Sequence, residues 1–309
     1  MRYLSILLVF PIFAQQSETT SRLPDLNGGY TTEGQTFAAT KSSTGSSRVE
    51  LAPSVNGSLV PRETVKEKIL RDDASGRVIE RYVQRHDPNG NPGPVEKTVI
   101  EEKKSGGTVT VNTTVYRGDL NGNLQASERS VSQTVKQGAV TNTETTIERK
   151  GLDGQFIPAE RIQATTIEQS KTQQTQTVTR LRRDPSGNFY EAVKETSTRE
   201  TTADGQTVEN RAQYVDGALA EQAVARTVTG PDGAISTTVD LYSTQAPGLS
   251  ADIGGKLALK ERQQVTRQPG PGGQITETVI SRKPTTDANR LGPAQVVSKT
   301  VCQGDCKQP

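Results

Sequence analysis

The sequence predicts an all-β protein: a repetitive antiparallel meander of about eight two-strand repeats with a period of about 32 residues. The sheet is expected to be extended and largely single-layered, with closure into a barrel or a propeller-like ring as the alternative. Three observations predict this. A phrase, Asp-x-x-Gly-x-Leu/Phe-x-Pro-x-Glu-Arg/Lys, recurs along the chain. The segments between its turns are rich in Thr and Val, whose branching at the β-carbon suits pleated backbone and disfavours helix. No segment shows the i, i+3, i+4, i+7 apolar recurrence of an amphipathic helix.

Composition limits how such a sheet is stabilised. Hydrophobic residues make up 31% of the 309, against about 45–50% in ordinary globular domains. Leu, Ile, Val and Phe together number 63, eight of them within the first 13 residues, and Trp is absent. A thick core along the whole length is excluded. The net charge is only +2, from 37 basic and 35 acidic residues. That balance gives no electrostatic reason to expect nucleic acid or an anionic membrane.

The chain opens with a basic Arg2, the apolar run Leu4 to Phe13 and a small Ala14 before Gln15. This is the pattern of a secretory signal peptide over residues 1–14, too short to span a bilayer as a helix. Residues 15–53, rich in Ser, Thr and Gly, read as a flexible leader. Residues 54–301 carry the repeat array, and 302–309 form a tail with the only two cysteines, Cys302 and Cys306. Export permits a disulfide between them. A two-cysteine metal site would lack further ligands nearby.

The repeat shows at three offsets. Its Gly stands at Gly57, Gly90, Gly122, Gly154, Gly187, Gly217 and Gly255, with Asn289 as the degenerate last member. Two residues later come Leu59, Pro92, Leu124, Phe156, Phe189, Leu219, Leu257 and Leu291. Six residues later come Glu63, Glu96, Glu128, Glu160, Val193, Ala223, Glu261 and Gln295, often followed by a basic residue such as Lys97, Arg129, Arg161, Lys194 or Arg262. Asp87-Pro88-Asn89-Gly90 and Asp184-Pro185-Ser186-Gly187 have the order of a type I turn closed by a left-handed Gly. Pro61, Pro94, Pro158 and Pro293 follow the Gly position by four and belong at strand starts or bulges. A second turn in each repeat is marked by Gly76, Gly106, Gly138, Gly205, Gly233 and Gly272. The Asp-x-x-Gly-Asn turns resemble those of bacterial cell-surface Tyr-Asp repeats. The longer period and the lack of a regular Tyr-Asp pair set this chain apart from that family.

No residue is assigned to catalysis, to cofactor binding or to metal. His86, the single histidine, sits beside a turn with no local set of catalytic partners. Asp87-x-Asn89-x-Asn91 and Asp119-x-Asn121-x-Asn123 offer alternating oxygens to calcium, but at the wrong spacing for an EF-hand loop. The periodic Glu reads as a charge ladder rather than a catalytic pair. The function expected is therefore that of an exported, non-enzymatic repeat protein with a structural or surface-interaction role, meeting a cell-surface or envelope polymer or protein. The alternative is a glycan- or envelope-binding module. An outer-membrane β-barrel ranks third, since such a barrel needs an apolar lipid face and aromatic girdles. The mature chain is expected to begin near Gln15, with no transmembrane span; N-terminal sequencing of native material should find Met1 absent.

Overall fold

The computed structural model describes residues 15–24, 30–41, 44–119, 122–244, 257–285 and 290–304. Residues 1–14, read above as a signal peptide, and Gly255, Asn121, Asn289 and Cys306 lie outside them. Eighteen strands follow in chain order: β1 (Gln15–Pro24), β2 (Tyr30–Lys41), β3 (Gly45–Pro53), β4 (Leu59–Asp73), β5 (Gly76–His86), β6 (Pro92–Ser105), β7 (Thr108–Gly118), β8 (Leu124–Gln137), β9 (Val140–Lys150), β10 (Phe156–Glu168), β11 (Gln173–Arg183), β12 (Phe189–Thr201), β13 (Thr207–Val215), β14 (Ala218–Thr229), β15 (Ile235–Ser243), β16 (Ala258–Pro269), β17 (Ile275–Arg282) and β18 (Gln295–Gly304). Each pairs antiparallel with its neighbours in sequence, and β1 pairs with β18, from Ser17↔Gly304 to Arg22↔Lys299. The sheet is a single layer, as the composition requires, and it closes into a barrel.

The region expected to be a leader is corrected by this closure. Residues 15–53 supply β1, β2 and β3. Ser46 donates to Glu67 at 3.1 Å and Arg48 bonds Glu63 at 2.8 Å, so β3 is joined to the array by side chains as well as backbone. A Ser/Thr-rich strand with water on both faces shows no apolar periodicity, which is why its pattern resembles a loop. Cys302 likewise lies within β18, opposite Thr19 and Ile275, and is disulfide-bonded.

The turns follow the expected chemistry. The Gly90 amide donates to the Asp87 carbonyl at 2.9 Å, and the Asp87 amide donates to the Asn91 carbonyl at 2.9 Å. This is a type I turn closed by a left-handed Gly. Gly122 has φ +80°. Just beyond these turns the register shifts in every hairpin of the set, for example between Val115 and Tyr116 against β8 and between Pro158 and Glu160 against β9. The shift is a β-bulge, with Pro94 and Pro158 at or beside it as expected.

Directly paired residues share a face, so the register sorts every strand residue onto one of two walls. One set contains Val65, Val83, Ile100, Val111, Ser132, Ile147, Ala164 and Val178. The other contains Lys66, Tyr82, Lys97, Thr114, Gln133, Thr146, Gln163 and Thr179. Members of the first set are the more covered. Along β8, Glu128, Ser130, Ser132 and Thr134 are half-buried while Arg129, Val131 and Gln133 are exposed. A concave wall crowds side chains and a convex wall spreads them, so the first set lines the lumen. A concavity bounded by Arg149, Ile157, Glu160 and Arg182 lies on that side, and a second is lined by Arg211, Gln213, Glu221, Ala223 and Leu241 of that set together with Gln222 and Tyr242 of the other.

No dry core fills the barrel. Among the described residues only Val65, Val83 and Ala192 are buried hydrophobics. Every extensive strand contact is between ladder neighbours, so opposite walls do not collapse on one another. A circular barrel of eighteen strands is about 35 Å across between backbones, and barrels of this strand number hold water. Stability comes from the ladder and from cross-strand pairs such as Val65–Val83 and Thr134–Thr143, the latter bonded at 2.9 Å. Each such pair adds about 0.2–1 kcal/mol. At Gly122 an added Cβ meets no atom within 4 Å, so the cost of substitution is conformational. Gly122→Val should destabilise the barrel by about 1–3 kcal/mol more than Gln125→Val, read from paired denaturant melts.

Candidate functional site: a charge-paired lumen

Closure makes the lumen wall the candidate site. The bulge decides which repeated residues reach it. Offsets two and six of the phrase differ by four residues, so unbroken alternation would place them on one face. The extra bulge residue between them reverses the alternation. The offset-six residues Glu63, Glu96, Glu128, Glu160, Val193, Ala223, Glu261 and Gln295 all face the lumen, while Leu59, Leu124, Phe156, Phe189 and Leu219 face outward.

The expected Glu–basic ladder takes a different form from the one adjacency suggests. Lys97, Arg129, Arg161, Lys194 and Arg262, next in sequence to the offset-six position, point to the opposite wall. The lumenal carboxylates pair instead with arginines of the neighbouring strands. Arg117 Nε lies 2.9 Å from Glu96, Arg149 Nε 3.1 Å from Glu128 and Arg180 Nε 3.0 Å from Glu160. Glu63 is shared by Arg48 at 2.8 Å and Arg85 at 3.6 Å. Glu221 meets Lys260 at 3.3 Å. Glu261 has no basic partner within ion-pair distance among the described residues and accepts from Ser281 at 2.6 Å. The acids sit against the wall and the guanidinium groups reach into the bore: Glu160 is 14% exposed, Arg117 62%. A collar of paired charge thus runs inside the rim that carries the Asp-x-x-Gly turns.

The arginine half of the collar was legible but unread. Arg85, Arg117 and Arg149 each stand five residues before the Gly of the next phrase; Arg182 keeps that spacing opposite Glu160, although Arg180 makes the ion pair. That recurrence is the signal that would have found them.

The other candidate residues are dispersed. His86 ends β5 on the outer wall, opposite Pro92, with Nδ1 shielded and without a hydrogen-bond partner among the described residues. The Asp87 carboxylate is occupied by its own turn: it accepts from the Asn89 and Asn91 amides at 2.8 and 2.9 Å and from Asn91 Nδ2 at 2.8 Å. Turn bonding, not calcium, accounts for that alternation of Asp and Asn. The Asp119 turn repeats part of it, with the Asn123 amide donating at 2.9 Å. No group of three His, Cys, Asp or Glu among the described residues is arranged to hold a metal ion.

No protein-family model matches the chain, and no curated protein matches it. Among solved structures, the outer membrane channel DcaP of Acinetobacter baumannii is similar over 94% of this chain and 95% of its own, at 9% identity and a TM-score of 0.19. Superposition at that level is too loose to carry a function from one chain to the other.

Several carboxyls are held below their ordinary values by these bonds. Asp87 is lowered chiefly by the Asn91 side chain and amide, from 3.8. Glu261 is lowered chiefly by Ser281, and Glu80 on the outer wall by Lys97, both from 4.5. A carboxyl with a lowered folded pKa stabilises the fold above its unfolded value and loses that contribution as pH falls through the folded one. The melting temperature should therefore hold steady from neutral pH to about pH 4.5, then fall on further acidification, in a thermal-melt series run down to about pH 2.5.

Proposed function

We propose that the mature chain is an exported hydrophilic barrel whose lumen serves as a conduit for water and small polar solutes. The observation that carries this reading is the closed ring of ladders around an unfilled, charge-paired lumen. Thr, Ser, Gln and paired Glu–Arg side chains of the described strands offer a passing polar solute hydrogen bonds along the lumen wall. The collar favours neither cations nor anions strongly, because its acids Glu63, Glu96, Glu128 and Glu160 are each paired with an arginine and Glu261 with a hydroxyl. A scaffold or adhesive role draws no support from this geometry, since closure leaves no edge for an array to extend from.

A membrane-spanning form of the same barrel is the second reading. It is favoured by the even strand number, the all-neighbour antiparallel order and the placement of both terminal strand ends at one rim. The outer wall weighs against it. Lys66, Lys68, Glu101 and Lys103 point outward, and a Lys facing lipid at mid-bilayer costs about 2–4 kcal/mol.

Size-selective labelling tests the conduit. With Cys302 kept oxidised, a thiol introduced by Ser132→Cys faces the bore and one introduced by Gln133→Cys faces out. Small maleimides should label both, and maleimides on polymers wider than the bore should label only the Gln133→Cys variant. Equal labelling by the large reagents would overturn the conduit. A detergent requirement together with conductance across a planar bilayer would establish the second reading instead.

A further inference from the structure

The outer wall carries a feature that the sequence scatters. Tyr82, Tyr116, Phe156, Phe189, Tyr214 and Tyr242 all face outward, and each lies within four residues of its strand's end at the rim of Asp-x-x-Gly turns. Leu59, Leu124 and Leu219 join them at the same level, the last two 42% and 37% exposed. Just below runs a line of bases, each four or five residues into its strand. Lys97 Nζ sits 5.7 Å from the Tyr82 ring centre and 6.0 Å from that of Tyr116. Arg129 lies over Phe156 at 4.1 Å and Arg161 over Phe189 at 4.4 Å. Lys194 pairs across the ladder with Tyr214.

From these positions we infer that the turn-bearing rim docks on an anionic lipid surface, with the aromatic and leucine belt at headgroup depth and Arg129, Arg161 and Lys194 against lipid phosphates, Lys97 being held by Glu80 at 2.6 Å. Three features of the belt lead there. It runs round the wall from β4 to β15 at one level, and a single globular partner would cover only one side of such an arc. A plane normal to the barrel axis meets all of it at once. Tyr rings, with an apolar body and a polar tip, favour the boundary between hydrocarbon and water. Lys and Arg stems lie along apolar surface while their heads reach for anions, which attract them further when the lipid is acidic. The wall below does not continue the band unbroken: single exposed apolar residues, Val131, Ile167 and Val228, are set among Thr114, Gln133, Thr177 and Thr196, with Lys66 and Lys68 exposed. The belt therefore suits a rim seated in an interface rather than a barrel sunk through it, and this inference stands apart from any role of the lumen.

Vesicle flotation with the mature chain tests this. The probes are vesicles of phosphatidylcholine alone and of phosphatidylcholine with about a third phosphatidylglycerol. The chain should float with the anionic vesicles and much less with the neutral ones. The pair Phe156→Ser with Phe189→Ser should cut partitioning at least tenfold, as should Arg129→Gln with Arg161→Gln at low salt, while Val131→Ser on the lower wall should not. Retained binding in both pairs, or capture by oligosaccharide in place of any vesicle, would overturn the proposal. If the aromatic pair fails to fold by circular dichroism, single Phe156→Trp and Val131→Trp variants decide. Emission from the first should be quenched by lipids brominated near the headgroup and emission from the second by none. Quenching of both, or by lipids brominated deep in the acyl chain, would reject a seated rim in favour of a spanning barrel.

Discussion

Everything in this structure depends on the backbone ladder between β1 and β18. A domain with a dry core tolerates an unpaired edge because its stability lies elsewhere. Here almost nothing is buried, and the sheet's hydrogen bonds and cross-strand pairs are the main source of cohesion. Six residue pairs between Ser17–Arg22 and Lys299–Gly304 turn two exposed edges into one more internal ladder. Without them the chain would present two long unpaired strands, the arrangement most prone to pairing with other chains. With them, each strand has a partner on both sides.

Closure also converts a repeat into a site. In an open sheet, Glu128 and Arg149 would be one of many solvated pairs, worth little individually. On the concave wall of a barrel the same pair joins Glu63, Glu96 and Glu160 with their arginines in a collar around one bore. The convex wall gathers the other half of the repeat. Arg129 on Phe156 and Arg161 on Phe189 are successive copies of one contact, carried round the rim by the meander.

The β-bulge is the device that separates the two. One extra residue after each Asp-x-x-Gly turn sends Phe156 outward and Glu160 inward, although four residues of regular strand would put both on one wall. The recurrent Pro at offset four sits where it can mark that bulge, since it has no amide to give to the ladder. The turn above is held by its own Asp, as Asp87 shows with three bonds to its carboxylate. Turn, bulge and collar are thus consecutive parts of one repeated device.

By itself the sequence determined the repeat, the strand content, the turn chemistry at Gly90 and Gly122, and the lack of a thick core. These are local properties, set by β-branching, positive φ and the scarcity of apolar residues after the first 13, and they need no distant contact to be read. The sidedness of the walls was not legible, because neither face is apolar and alternation alone cannot tell inside from outside. Residues 15–53 looked like a leader for the same reason: a strand wet on both faces leaves no hydrophobic signature. Arg85, Arg117 and Arg149 were visible as a recurrence but had no meaning until a neighbouring strand brought a glutamate to each. Only the tertiary structure decided closure, because it is a contact between residues nearly three hundred positions apart in the chain, and its energy lies in backbone bonds that every sequence possesses.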